Sequence, residues 1–146
     1  MRGHEVAFVI IGGYALAAHG YIRATKDIDI VPDPDAGNVA RLASALRDLD
    51  AEVDIGDLNP AELGLKPGEE GLRAGGNWVL HTRFGRLDVM QDVPGLRSYE
   101  VLRAGATDVN GDLYAGYDEL ISMKAASGRA EDLRDIAALE AARRTR

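Results

Sequence analysis

The chain has 146 residues, a length that fits one domain with a sizeable core, and it has no cysteine and a net charge of −7. The lack of cysteine excludes disulfides and thiolate metal sites and fits a reducing cytoplasm. The acidic balance disfavours extended contacts with DNA or RNA, and no apolar run is typical of a membrane span or a signal peptide, so we expect a cytoplasmic protein without membrane association.

The first predicted strand, residues 6–11, ends at a pair of glycines. Gly12 and Gly13 carry no Cβ, so the backbone can turn sharply there and approach a ligand closely. A short Ala-rich helix is predicted over 14–19, ended by Gly20 in a left-handed conformation. The N–H groups at its start suit a phosphate, although two glycines between a strand and a helix also have a purely structural explanation. The spacing matches neither a Walker loop nor a dinucleotide fingerprint.

The second predicted strand carries two carboxylates, Asp27 and Asp29, which alternate with Ile28 and Ile30. Alternate side chains share a strand face, so the isoleucines are expected on one face and the acids on the other, with the Cβ atoms of the two acids about 7 Å apart. Like charges on one face repel, and a divalent cation between them removes that conflict. Mg²⁺ takes one or two carboxylates together with substrate phosphate oxygens. The alternative is an edge strand with two solvated aspartates.

The next predicted elements connect this strand to the middle of the chain. Residues 33–35, Asp-Pro-Asp, are expected to form a turn without chemistry, followed by a helix over 36–49 with one apolar face. A short strand is predicted near 51–55. Residues 59–77 are rich in Gly, Pro and charge, which predicts a loop with one helical turn near 61–65. Such a loop beside an active site would select the acceptor.

A predicted β-hairpin supplies a third carboxylate. Its strands cover 78–82 and 86–90, and Asp88 lies on the face opposite the apolar residues. Enzymes that transfer phosphoryl or nucleotidyl groups commonly hold two metals with acids from neighbouring strands, where a third carboxylate can also activate the attacking hydroxyl. By itself Asp88 would be interpreted as a surface residue. Beside Asp27 and Asp29 it becomes a candidate metal ligand and general base.

The C-terminal part is predicted to contain a hairpin and two helices. Residues 109–112, Val-Asn-Gly-Asp, are typical of a type I′ turn. Helices are predicted over 118–127 and 130–143, with Gly128 ending the first. Together with the earlier strands, these elements predict a mixed α/β domain without internal repeats.

Several charged residues near the predicted helix ends have local explanations. Lys124 follows the apolar stripe of its helix and could be a solvated lysine. Arg129, at the turn between the two helices, is interpreted as forming a local ion pair with Asp132 or Asp135. His19, in the last turn of its helix, could interact with unpaired carbonyls.

Motifs from both ends of the chain together resemble one family. The spacing resembles that of the DNA polymerase β-like nucleotidyltransferase superfamily: a glycine pair, thirteen intervening residues, Asp-Ile-Asp-Ile, and a lone aspartate on a later strand. The first motif resembles more narrowly the minimal bacterial branch of that superfamily, through Ile-Gly-Gly-Tyr-Ala, His-Gly and Arg-x-Thr. That branch includes abortive-infection and type IV toxin–antitoxin nucleotidyltransferases. Residues 118–135 are similar to the closing helices of that branch, whereas 52–76 match poorly.

The resemblance implies a nucleotidyltransferase fold in one domain over 1–146: a small mixed sheet flanked by helices, ending in two C-terminal helices. It implies phosphate-binding glycines, acids that hold one or two Mg²⁺ ions, and a basic contact to the nucleotide, namely Gly12, Gly13, Asp27, Asp29, Asp88 and Lys124. Arg23 and Thr25 flank the carboxylate strand and could contact either the phosphates or the acids.

The implied activity is transfer of a nucleoside monophosphate from a nucleoside triphosphate onto an acceptor hydroxyl, with release of pyrophosphate. The resemblance allows a tRNA 3′ end, a protein side chain or a small molecule such as an aminoglycoside as acceptor, and it allows a toxin paired with an antitoxin. Family members usually begin with a helix before the first strand, whereas this chain starts almost at that strand. The start could be trimmed or misassigned, or a partner chain could cover that surface. The alternative is a nucleotide-binding or protein-interaction module that keeps the fold without turnover.

Overall fold

The computed structural model describes residues 2–22, 27–54 and 68–144. Its strands, in chain order, are β1 (Phe8–Ile11), β2 (Ile28–Pro32), β3 (Glu52–Val53), β4 (Asn77–Thr82), β5 (Gly85–Met90), β6 (Thr107–Val109) and β7 (Asp112–Tyr114). Its helices are α1 (Gly12–Ala18), α2 (Ala36–Asp48), α3 (Glu69–Arg73), α4 (Tyr99–Ala104), α5 (Tyr117–Ser127) and α6 (Ala130–Arg144), and a 3₁₀ turn covers Arg2–His4. Within the described ranges, no helix is long and apolar enough to cross a bilayer.

These strands form one seven-stranded mixed sheet in the order β3-β4-β5-β2-β1-β7-β6. β1 pairs with β7 in parallel, with Ile10 opposite Tyr114, whereas β4 with β5 and β6 with β7 are antiparallel hairpins. β3 pairs antiparallel with β4. The predicted fold class, a mixed α/β sheet with helices and two C-terminal helices, is confirmed.

The chain forms two compact units. Unit 1 comprises Met1–Phe8 and Ile30–Asp92, and unit 2 comprises Val9–Asp29 and Val93–Arg146. The prediction of a single domain over 1–146 stays a prediction.

In unit 1, α2 has the predicted bounds to within a residue. The predicted turn at 33–35 provides its N-terminal cap, because the Asp35 carboxylate accepts a hydrogen bond of 3.2 Å from the Asn38 backbone N–H. The apolar face buries Val39, Leu42 and Leu46. The acids at 33–35 therefore have a structural role, as expected for a turn without chemistry.

The side chain of Asn38, which sequence analysis did not single out, is buried in unit 1 and joins two segments of backbone. Its Oδ1 accepts from the Ala7 N–H at 2.7 Å, and its Nδ2 donates to the carbonyl oxygens of Ala7 and Asp33, both at 2.9 Å. The amide thus satisfies backbone groups just before β1 and just after β2, where buried polar groups need partners.

Two helices were not predicted. α3 lies in the segment predicted as a loop: its first turn carries two glutamates, which suit a helix N-terminus, and Leu72 is buried. α4 begins after Ser98, whose Oγ accepts from the Val101 N–H at 3.1 Å, and it buries Leu102. Both helices are short, so a single buried leucine and a favourable first turn define them. The helical turn predicted near 61–65 lies outside the described residues.

In unit 2, the predicted turns have the expected backbone conformations. Asn110 and Gly111 both have positive φ angles, of 55° and 89°, as a type I′ hairpin requires. Gly128 has φ 66° and ends α5 in the left-handed conformation. The two predicted C-terminal helices are therefore confirmed together with the residue that separates them.

Candidate active site

Gly12, the first glycine of the pair, and Asp29, the acid within β2, meet in unit 2. Gly12 begins α1 with φ 71°, in the left-handed region that favours glycine. A Cβ added to Gly12 would overlap Oδ2 of Asp29 and lie 3.1 Å from its Cγ. The Asp29 carboxylate therefore lies directly against the backbone at the start of α1, in space that exists because Gly12 has no side chain.

The start of α1 has no side-chain cap from its N-cap residue, Ile11, and no acidic residue in its first turn. Gly13 follows as a buried residue. The carboxylate beside this turn thus comes from β2 rather than from the helix itself. The structure brings together a predicted phosphate-binding turn and a predicted metal ligand.

The side chains along the carboxylate strand differ in exposure, and the predicted alternation of its two faces stays a prediction. Asp27 immediately precedes β2 and Asp29 lies within it, and both are half-buried. Ile30 is buried, whereas Ile28 is 39% exposed. Ile28 is the first residue of the strand, where the sheet covers a side chain less completely. Its apolar character alone could not place it in the core.

In unit 1, Asp88 lies on β5, which is next to β2 in the sheet, as predicted. Its side chain is only 13% exposed, so it is more deeply buried than a surface aspartate. Arg86, two residues earlier on the same strand face, donates from Nε to Oδ1 at 3.0 Å and from Nη2 to Oδ2 at 3.2 Å. This two-point, charge-assisted pair compensates the buried carboxylate.

Sequence analysis did not single out Arg86. Its pairing with Asp88 was predictable, because residues two apart on a strand share a face and an arginine there can donate two hydrogen bonds to one carboxylate. Among the described residues, no group of three or more acidic or histidine side chains lies close enough to hold a metal ion. The joint role of Asp27, Asp29 and Asp88 at a metal stays a prediction, and Arg23 and Thr25 lie outside the described residues.

Lys124 is not a solvated lysine. Its side chain is 11% exposed, and its Nζ lies 2.9 Å from Oδ2 of Asp135 and 3.5 Å from Oδ1 of Asp132. Both carboxylate side chains are 1% exposed. An ammonium between two buried carboxylates joins α5 to α6, and the assignment of Lys124 as a nucleotide contact stays a prediction.

The predicted ion pair of Arg129 with Asp132 is confirmed, although its acid is buried rather than on the surface. Arg129 Nε donates to Asp132 Oδ2 at 2.8 Å, and its backbone N–H donates to the same oxygen at 3.2 Å. Burial alone would raise the pKa of Asp132, but hydrogen bonds from Arg129 and Ser127 outweigh burial and hold this pKa well below its usual range. The same side-chain hydrogen bond raises the pKa of Arg129.

His19 interacts with a carbonyl, but not with one at the end of its own helix. Its Nε2 lies 2.8 Å from the carbonyl oxygen of Ala115, just after β7. This contact ties the end of α1 to the chain that leads into α5 and gives His19 a structural explanation.

The architecture is similar to that of a solved enzyme. The chain superimposes on the crystal structure of the lincosamide antibiotic adenylyltransferase LnuA in its lincomycin-bound form, with a TM-score of 0.56 and 15% sequence identity over 95% of this chain and 89% of that chain. No protein-family model and no curated protein sequence matches the chain. At this identity the similarity shows a fold shared with that adenylyltransferase, and no sequence match supports the narrower toxin–antitoxin branch.

Proposed function

We propose that this chain is a nucleotidyltransferase that moves a nucleoside monophosphate from a nucleoside triphosphate onto an acceptor hydroxyl. The observation that carries the proposal is the contact between Gly12 and Asp29. A carboxylate against the bare backbone of a strand-to-helix turn puts a metal-binding group beside the place where a phosphate chain can approach most closely. Similarity in fold to an adenylyltransferase supports the same activity.

The residues present fit Mg²⁺, which prefers carboxylate oxygens and completes its coordination with substrate phosphates. In this proposal Asp27 and Asp29 hold the ion, and Asp88 completes the set and accepts the proton of the attacking hydroxyl. When bound, one or two Mg²⁺ ions would neutralise charge on the phosphates. Gly12 and Gly13 leave room for the phosphate chain.

Three basic or polar residues are proposed to contact the nucleotide: Arg23, Thr25 and Lys124. For Lys124 the support is its fixed position, since its Nζ lies 2.9 Å from Asp135 and 3.5 Å from Asp132. A charge held by other groups costs less ordering entropy when a phosphate binds.

A small hydroxyl-bearing molecule is the acceptor that we favour, because the similar structure is that of an enzyme named for adenylylation of a lincosamide antibiotic. An RNA end and a protein side chain are the other candidates. A toxin role with an antitoxin partner depends on the branch resemblance alone. We propose a cytoplasmic location, where nucleoside triphosphates are available.

The second candidate is a module of the same fold that binds nucleotides or proteins without turnover. The observation that favours it is the bidentate pair of Arg86 with Asp88, in which a protein cation occupies the carboxylate that catalysis would use. The two candidates differ in whether Asp88 exchanges this partner for a metal.

The test is a transfer assay with each nucleoside triphosphate, labelled at the α-phosphate, in the presence of Mg²⁺. Lincosamides, aminoglycosides, tRNA and a cell extract are offered as acceptors. We expect label on one acceptor with the wild type and none with Asp29→Asn, whereas Asp118→Asn, the same charge change at a side chain that is 87% exposed, retains transfer. No transfer to any acceptor, together with no Mg²⁺-dependent binding of a triphosphate, would reject the proposal.

A further inference from the structure

The pair formed by Arg86 and Asp88 has a geometry that bears on how a metal could bind. Each oxygen of the carboxylate accepts one N–H of the same guanidinium, at 3.0 and 3.2 Å. The carboxylate is mostly buried, whereas the Arg86 side chain is 38% exposed. The arginine is therefore the member of the pair that solvent reaches more readily.

A buried carboxylate needs a compensating positive charge, because leaving it unpaired has a high desolvation cost. Arg86 supplies that charge in the protein without metal. A divalent cation would use the same two oxygens and supply the same compensation. The guanidinium and the cation cannot both bind those oxygens without loss of affinity, since their positive charges repel.

We propose that Arg86 is a built-in counter-ion that competes with the divalent cation for Asp88 and thereby lowers the metal affinity of the nucleotide-free protein. This inference rests on the proposed function, because it takes Asp88 to be a metal ligand. The effect on metal affinity distinguishes a competing arginine from one that only orients the Asp88 carboxylate. An orienting arginine would strengthen metal binding, whereas a competing arginine weakens it.

The experiment measures Mn²⁺ binding by electron paramagnetic resonance, without nucleotide and with a non-hydrolysable triphosphate analogue. Arg86→Met should bind Mn²⁺ about tenfold more tightly than the wild type, the change expected when one charge-assisted competitor is removed. Arg86→Lys should fall between the two, because lysine keeps the charge but loses the bidentate geometry. Arg83→Met is the matched control: its guanidinium lies 5.1 Å from the Phe84 ring centroid in the same hairpin, and Mn²⁺ affinity should not change.

Thermal unfolding provides a second measurement that does not depend on activity. Arg86→Met leaves Asp88 uncompensated, so it should lower the melting temperature without metal and increase the stabilisation that Mn²⁺ produces. If Arg86→Met is too unstable to measure, Arg86→Lys serves in its place. In an Asp88→Asn background the Arg86 substitutions should no longer change Mn²⁺ affinity, because the shared ligand is absent.

The outcomes separate this inference from the proposed function. If the wild type binds Mn²⁺, Asp88→Asn weakens binding and Arg86→Met leaves it equal or weaker, the competition is wrong and the proposed function stands. If no variant binds Mn²⁺ with or without the triphosphate analogue, the proposed function fails and this inference fails with it. Tighter binding by Arg86→Met that disappears with Asp88→Asn supports both.

Discussion

Replacing Gly12 with alanine tests the contact on which the functional proposal depends. The substitution has two separate effects in the structure. Alanine must adopt φ 71° at the start of α1, and its Cβ would overlap the Asp29 carboxylate. Gly76 offers a matched control, because it has φ 84° and a Cβ added there meets no atom within 4 Å.

The expected magnitudes follow from these two effects. An L-residue in the left-handed region costs roughly 1–2 kcal/mol, which both Gly12→Ala and Gly76→Ala incur. Gly12→Ala additionally displaces the Asp29 side chain, and overpacking of this kind costs about 1–3 kcal/mol more. The free energy of unfolding should therefore fall further for Gly12→Ala than for Gly76→Ala, and Mg²⁺-dependent triphosphate binding should be lost in the first and kept in the second.

Urea unfolding and isothermal titration calorimetry measure these quantities. In the double variant Gly12→Ala with Asp29→Ala the overlap is gone, so the extra loss of stability should disappear while triphosphate binding stays absent. If Gly12→Ala is no less stable than Gly76→Ala and binds the Mg²⁺-triphosphate like the wild type, the reasoning about this contact is refuted.

Four further predictions concern the carboxylates and the second glycine. Asp29→Asn should keep the fold, leave the metal-free protein at least as stable and abolish Mg²⁺-dependent triphosphate binding in calorimetry, since it removes a charged ligand. Gly13→Val should weaken triphosphate affinity far more than Ala17→Ser on the exposed side of α1, with circular dichroism checking the fold of both; equal affinities would contradict a phosphate-binding turn. Asp88→Ala should reduce transfer sharply in single-turnover assays while triphosphate binding is largely kept, and unchanged transfer would remove its catalytic role. The pKa of Asp132 is lower in the folded than in the unfolded protein, so its contribution to stability should be fully present above about pH 4 and decline at lower pH. Urea unfolding of the wild type and of Asp132→Asn should show that the difference between their free energies of unfolding shrinks below that pH.

Elements set by local chemistry were predictable from the sequence. Backbone preferences predict the Asn110-Gly111 turn and the end of α5 at Gly128. Periodicity predicts the apolar face of α2. The short helices α3 and α4 were not, because a helix of five or six residues has too little periodicity to stand out from a loop. The exposure of Ile28 was also not predictable, since burial at a strand end depends on distant neighbours.

The candidate site was predictable to a different extent. The glycine pair and the Asp-Ile-Asp spacing predict Gly12 and Asp29 as candidate site residues, and the two lie against each other in the structure. The partners of the charged residues were harder to predict. Lys124 is interpreted as solvated when only its own helix is considered, because its carboxylate partners come from the next helix. Pairing between elements is a tertiary property, and one sequence without an alignment carries little information about it.

The described carboxylates differ in how their charge is compensated, and this difference separates structural acids from candidate ligands. Asp132 and Asp135 are 1% exposed and share a lysine that is itself nearly buried, so a metal could reach them only by disrupting the packing of α5 against α6. Asp88 is paired with Arg86, whose side chain is 38% exposed. We therefore expect the exchange of a protein partner for a metal to cost less at Asp88 than at Asp132 or Asp135, and Asp88 is one of the residues that the sequence motif predicts for catalysis.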